Sequence, residues 1–98
     1  MAQLIKLNIK EIDPDAQVIL YGSRARGEER KDSDWDILVL TNYPVSTKKE
    51  RQFRDHLYNL EFEIEEPFSM FIFSKENWEN KQKITPFYYS IKKTGIRL

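Results

Sequence analysis

Apolar positions along this 98-residue chain fall into short blocks separated by polar turns. Leu4, Ile5, Leu7, Ile9 and Ile12 recur at mixed spacing and predict a short opening helix, ended by the turn signal Asp13-Pro14-Asp15. Gln17 to Tyr21 is a β-rich run stopped by Gly22, which reads as a buried strand. Residues 23–33 are polar and contain Gly27, so they predict a turn-rich connection in which Ser23 caps a brief helical turn. Trp35 to Leu40 is the second strand, ending near Thr41-Asn42-Tyr43-Pro44. Ser46 or Thr47 opens the longest helix, on which Phe53, Leu57, Leu60 and Ile64 form a helical stripe and Glu50 precedes Arg54 by one turn. Leu60 to Ile64 also alternates as a strand would, but the stripe favours helix with Pro67 as the stop. Phe68 to Phe73 is a third, almost wholly apolar strand, and a short helix from Ser74 or Lys75 runs through Trp78. Thr85-Pro86 then pairs an N-cap with proline at the first helical position, opening a last helix through Phe87, Tyr88 and Ile91 that Gly95 ends. The order α-β-β-α-β-α-α predicts an α+β (mixed α/β) protein with a small sheet and helices packed on it.

Length limits this pattern to one domain over residues 1–98, with no repeat, linker or low-complexity tract. Lys+Arg and Asp+Glu balance at 16 each, which argues against general nucleic-acid binding, because that affinity comes mostly from neutralising phosphates. The apolar share of 40% is too high, at zero net charge, for a disordered chain. Without cysteine there is no disulfide framework, zinc-thiolate site or thiol nucleophile. No apolar run approaches the ~20 residues that span a bilayer, and the N-terminus lacks a signal-peptide pattern, so a cytoplasmic location is expected.

The candidate chemistry lies in Gly22-Ser23-Arg24-Ala25-Arg26-Gly27 and Asp32-Ser33-Asp34-Trp35-Asp36. Asp34 and Asp36 stand two apart at the head of an apolar strand, so both carboxylates point to one face and Trp35 and Ile37 to the other. Adjacent carboxylates repel, and a divalent cation resolves that cost. Mg²⁺ takes hard oxygens, one or two carboxylates together with substrate phosphates. Gly22 lets the backbone approach a phosphate, Ser23 supplies a hydroxyl and an N–H, and Arg24 and Arg26 bring charge to the same mouth. A phosphate cradle on one strand end beside a metal pair on the next is equipment for phosphoryl transfer.

With Gly22-Ser23, ten intervening residues and then Asp34-Trp35-Asp36 on a strand, the sequence resembles the DNA polymerase β-like nucleotidyltransferase superfamily. Its nearest likeness there is to the minimal nucleotidyltransferase (MNT) proteins. The resemblance covers residues 18–40 in detail. It implies a small mixed sheet, a nucleoside triphosphate substrate (usually ATP) with Mg²⁺, and transfer of the nucleotidyl group to a hydroxyl acceptor. By position it assigns Gly22, Ser23 and Arg24 to the phosphates and Asp34 and Asp36 to metal and catalysis. It also implies a protein partner, a HEPN-like ribonuclease toxin to which such proteins serve as antitoxins, some by adenylylating a toxin tyrosine.

Relatives with activity supply a third carboxylate from a later strand. Here that strand, Phe68 to Phe73, has no acid, and Ser69 stands at the expected place, with Glu65 and Glu66 just upstream. Two functions therefore stay open: an Mg²⁺-dependent transferase, and a binding module that keeps the fold and acts by occluding a partner. Lone His56 lies off the apolar stripe and predicts a surface helix position. Phe87, Tyr88 and Tyr89 cannot all face one core, so at least one ring should be exposed, where a homodimer would add buried area.

Overall fold

The apolar run Ile37–Leu40 is buried on both faces of a sheet. The computed structural model describes residues 1–31 and 33–98. Asp32, part of the candidate motif, lies outside the described residues. The elements run α1 (Ala2–Ile12), β1 (Gln17–Tyr21), α2 (Ser23–Arg26), β2 (Trp35–Thr41), α3 (Thr47–Ile64), β3 (Phe68–Ser74), α4 (Lys75–Asn80), a 3₁₀ turn (Gln82–Ile84), α5 (Pro86–Thr94) and β4 (Ile96–Arg97).

The four strands form one mixed sheet in the order β3-β2-β1-β4. β1 pairs antiparallel with β2, Tyr21 opposite Asp36 and Gln17 opposite Leu40. β3 lies parallel to β2, with Trp35 beside Phe68 and Asp36 beside Ser69. Parallel neighbours need a crossover, and the 18-residue α3 supplies it. Strand parity divides the core. Val18, Ile37, Val39 and Met70 meet Ile5 and Ile9 of α1 and Phe53 and Leu57 of α3 on one face. Ile19, Leu38 and Leu40 meet Trp78 of α4 and Tyr88 and Ile91 of α5 on the other.

Local chemistry sets most of the boundaries. Ser46 caps α3 by accepting from the Lys49 N–H at 3.1 Å, Ser74 caps α4 through the Asn77 N–H, and Thr85 caps α5 through the Tyr88 N–H. The ambiguous stretch Leu60–Ile64 is helix, and Glu65 ends it in the left-handed conformation at φ 58°. Of the three consecutive rings, Tyr88 is buried, Phe87 half-buried and Tyr89 65% exposed.

Three features differ from the sequence expectation. Gly22, not Ser23, occupies the N-cap of α2, and Ser23 is the first helical residue. Gly95 does end α5, but in an extended conformation. It is needed for space: a Cβ there would come within 2.6 Å of the Ile91 carbonyl oxygen and 3.0 Å of the Ile19 side chain. That close approach delivers the unexpected β4 to β1, with Ile19 opposite Arg97. A two-residue strand leaves no periodicity to read. No helix among the described residues is long and apolar enough to cross a membrane.

The turn after β2 is pinned to the turn after α1. Tyr43 donates its hydroxyl to Asp13 Oδ2 at 2.8 Å, and Asp13 Oδ1 accepts from the Asp15 N–H. Burial, then the hydrogen bond to Asp13, raises the Tyr43 phenol from 10.0 to about 12. The folded chain therefore holds this proton more tightly than the unfolded chain. Its contribution to stability is complete below pH 10 and declines as pH rises from 10 to about 12. Tyr43→Phe should flatten that part of the alkaline decline, read as urea midpoints across the interval.

Candidate functional site

β1 leaves the sheet at Gly22, whose φ of 75° and ψ of −160° lie in a region essentially reserved for glycine. A second reason for glycine is contact: a Cβ on Gly22 would collide with the Asp36 carboxylate. The Gly22 carbonyl accepts from the Ala25 and Arg26 N–H groups at 3.1 and 3.2 Å, which winds residues 23–26 into a single helical turn. Gly27, at φ 71° and ψ 22°, stops it in the left-handed conformation. Two glycines thus bracket Ser23, Arg24, Ala25 and Arg26 and set them above the head of β2.

Asp36 is half-buried on the α4/α5 side of β2, in a row with Tyr21 of β1 and Ser69 of β3. Its carboxyl is held above the usual carboxylate range by burial first and by the Asp34 charge second, with Arg26 acting in the opposite sense. Burial and then the Asp36 charge push the neighbouring Tyr21 phenol up to about 12. Asp34 is exposed, just ahead of β2. The mouth therefore gathers Gly22, Asp34 and Asp36 with Ser23 alongside, and Arg26 supplies its opposing charge.

Arg24 takes a different place. Its guanidinium lies 4.2 Å from the centre of the Trp35 ring. Nε and Nη2 both donate to the Ser33 carbonyl, at 3.2 and 2.9 Å, and Nη2 stands 3.7 Å from Glu66. Trp35 packs with the α1/α3 core, so this cluster sits on the side of β2 away from Asp36. Arg24 braces the connection against the heads of β2 and β3. Residues two apart on one helical turn point in nearly opposite directions, so Arg26 leaves the turn on another side from Arg24: its Nε pairs with Glu28 at 3.6 Å, and its charge acts on Asp36 as the weakest of the three influences there.

The two glutamates upstream of β3 are used locally. Glu65 caps α3, and Glu66 pairs with Arg24. The residue beside Asp36 on β3 is Ser69. Among the described residues there is no group of three or more His, Cys, Asp or Glu gathered for a metal. The pair Asp34/Asp36 nonetheless suits Mg²⁺: hard oxygens, mutual repulsion and partial burial leave negative charge that a divalent ion with substrate phosphates would balance.

Sequence reading missed the aromatic wall beside the acids. Tyr21 meets Phe87 edge-on at 5.2 Å, and Phe87 meets Phe71 at 5.2 Å and Trp78 at 5.6 Å. Strand parity alone could have placed Tyr21 on the Asp36 side. Phe87 needed the docking of α5, which no local pattern encodes.

The nucleotidyltransferase domain family matches residues 3–90. The chain belongs to that family. No curated protein matches it. Among solved structures, a toxin–antitoxin complex, MntA–HpeT, carrying a double Asp-to-Glu mutation, superposes with a TM-score of 0.70 at 13% identity, over 99% of this chain and 71% of that one. An inferred nucleotidyltransferase gives 0.69 at 22% identity, over 99% and 96%. A toxin–antitoxin structure with AMP-PNP gives 0.62 at 14% identity, over 94% and 70%. At such identities the likeness is one of fold, and this nucleotidyltransferase-family chain shares the fold almost end to end.

Two substitutions test the mouth. Gly22→Ala must strain the backbone and displace the Asp36 carboxylate, so it should cost about 2 kcal/mol or more in denaturant unfolding. Asp36→Asn removes a charge that burial and Asp34 both disfavour. In EDTA at neutral pH its melting temperature should lie above that of the wild type.

Proposed function

We propose that residues 1–98 act as one nucleotidyltransferase domain that takes a nucleoside triphosphate, ATP by preference, and transfers its nucleotidyl group to a hydroxyl on a partner protein. The partner is a HEPN-like toxin and the setting is the cytoplasm, where ATP and Mg²⁺ are available. The observation carrying this reading is the approach of Gly22 to Asp36, which brings a strand-end turn and two carboxylates to one mouth. The toxin–antitoxin complex and the toxin–antitoxin structure with AMP-PNP among the fold neighbours support the choice of partner and nucleotide.

In this reading the Gly22–Ser23 backbone and the Ser23 hydroxyl hold the triphosphate, Arg26 adds charge at the rim, and Asp34 and Asp36 hold Mg²⁺. The bound ion would offset phosphate charge and draw electron density from the α-phosphorus. Arg24 contributes from behind, by fixing the connection through Ser33 and Trp35. The acceptor oxygen bonds to the α-phosphorus as the bond to the bridging β-phosphate oxygen breaks. Pyrophosphate leaves, and the hydroxyl proton goes to solvent. The half-buried position of Asp36 keeps water from screening its carboxylate as fully as at an open surface.

One observation favours a second reading. Ser69 stands beside Asp36, and Glu66 is engaged by Arg24 on the other side of β2. A chain with two carboxylates rather than three would bind nucleotide but transfer slowly, and would restrain its partner by occlusion.

Calorimetric titration of ATP, with and without Mg²⁺, on the wild type and on Asp34→Asn/Asp36→Asn tests the site that both readings share, and partner inhibition by the double variant separates them. Mg²⁺-dependent binding that weakens at least about tenfold in the double variant is expected. Equal binding by both proteins would exclude the acids from the site. Partner inhibition that persists in the double variant without nucleotide would favour occlusion over transfer.

A further inference from the structure

Two large rings stand in the open on the second half of α3. Tyr58 is 63% and Phe62 79% exposed, one turn apart, although Phe53 and Leu57 of the same helix are buried. With Glu61, Glu65, Glu66 and Pro67 they line a pocket of about 340 Å³, and no Lys or Arg lines it.

The charge around the rings is one-sided. Residues 55–66 include Asp55, Glu61, Glu63, Glu65 and Glu66 and no Lys or Arg. A helix C-terminus already carries partial negative charge, so cations stabilise it, yet the last turn of α3 has no basic residue. Among the described residues only Glu66 of these five acids has a cationic partner, Arg24 at 3.7 Å. Glu65 adds a backbone cost. At φ 58° it is the one non-glycine among the described residues with a left-handed backbone, at a helix end where glycine is the ordinary choice.

The neighbouring cluster shows what a ring and a carboxylate hold in this molecule. Arg24 lies over the Trp35 ring at 4.2 Å, with Glu66 at 3.7 Å. The pocket sets Tyr58 and Phe62 beside Glu61 and Glu65 and has no guanidinium of its own.

We propose that this pocket seats an arginine side chain from an apolar-flanked segment of a partner protein. The aliphatic stem lies along Tyr58 and Phe62, and the guanidinium meets Glu61 and Glu65. Lysine fits less well, because its ammonium is more strongly hydrated and has no flat face to stack on a ring. Free arginine would bring its own carboxylate into an acidic pocket, and within a peptide chain that charge is absent. A second copy on a two-fold axis through the pocket would set acids against acids, which disfavours it as the occupant. The pocket lies at the head of β3, at the same end of the sheet as Asp36 but on the α3 face. The inference does not rest on the transfer reaction proposed above.

The test uses the full chain, ¹⁵N-labelled, and the capped peptide acetyl-Ala-Leu-Arg-Leu-Ala-amide, which offers no hydroxyl acceptor. Lysine and citrulline replace the arginine in two further peptides, citrulline keeping its shape without the charge. The arginine peptide should shift the amides of Phe62, Glu65 and Glu66 saturably, and more weakly as salt is raised. The lysine peptide should bind about threefold less tightly or worse, and the citrulline peptide should not saturate. Phe62→Ser, at an exposed position, should abolish the shifts in a chain whose circular dichroism is unchanged. Glu61→Gln/Glu65→Gln should weaken binding about three- to tenfold. Glu65→Gly should weaken binding while its urea midpoint stays at or above that of the wild type, a split that a purely structural role would not give. Equal binding of the arginine and citrulline peptides, shifts confined to other surfaces, full binding by Phe62→Ser, or no binding by the folded wild type would overturn the proposal. So would concentration-dependent shifts of these same amides without peptide, which would assign the pocket to a second copy.

Discussion

The structure depends on one strand being covered on both faces and paired on both edges. β2 has an antiparallel neighbour on one side and a parallel one on the other, and helices cover it above and below. Four consecutive residues, Ile37 to Leu40, are withdrawn from water. Burial of that kind stabilises by roughly 1.5 to 3 kcal/mol for each large side chain relative to leaving it exposed. It also removes freedom to slip, because a shift of one residue would exchange the residues on the two faces and drive Asp36 towards the α1/α3 core. The register that fixes the core therefore fixes the acids. Asp36 sits at the last position where the strand is still partly open to water, and that position gives its carboxyl its raised proton affinity.

How far such an arrangement can be read from sequence depends on the range of the forces involved. Helix caps at Ser46, Ser74 and Thr85 rest on contacts three residues long, and they are legible. So is the shared side of Asp34 and Asp36, which follows from strand period. The family resemblance implies that Ser69 stands where a third acid would, and the register sets it beside Asp36. Arg24 shows the limit. Its residue type and neighbours suggest an anion-binding role, whereas its position is decided by Trp35, Ser33 and Glu66, the last on a different element. β4 escapes for the same reason: it exists because Gly95 lets the chain pass close to Ile91 and Ile19.

The two faces of the sheet have different characters. On the α4/α5 side, rings of Tyr21, Phe71, Phe87 and Trp78 lean on one another beside the carboxylates. Ring-to-ring contacts of this kind add about 0.5 to 1.5 kcal/mol each beyond simple burial, so this wall is stiff as well as apolar. On the α1/α3 side the helices carry the core inward and leave leucines, an amide and two glutamates outward. The Asp34/Asp36 mouth and the outer α1/α3 surface thus lie on opposite sides of the sheet.

The mixed direction of the sheet has a consequence in time. β1 and β2 can zip together once residues 17–41 are clear of the ribosome, since they run antiparallel across a single connection. β3 must wait until the whole of α3 has been synthesised, because a parallel partner is reached only by going around. Closing short loops is entropically cheaper than closing long ones, so the segment bearing Gly22, Asp34 and Asp36 is the part of the sheet able to form earliest. During synthesis the outer edge of β2 would lie bare until β3 arrives. In that interval the nascent chain is most exposed to pairing with the wrong strand.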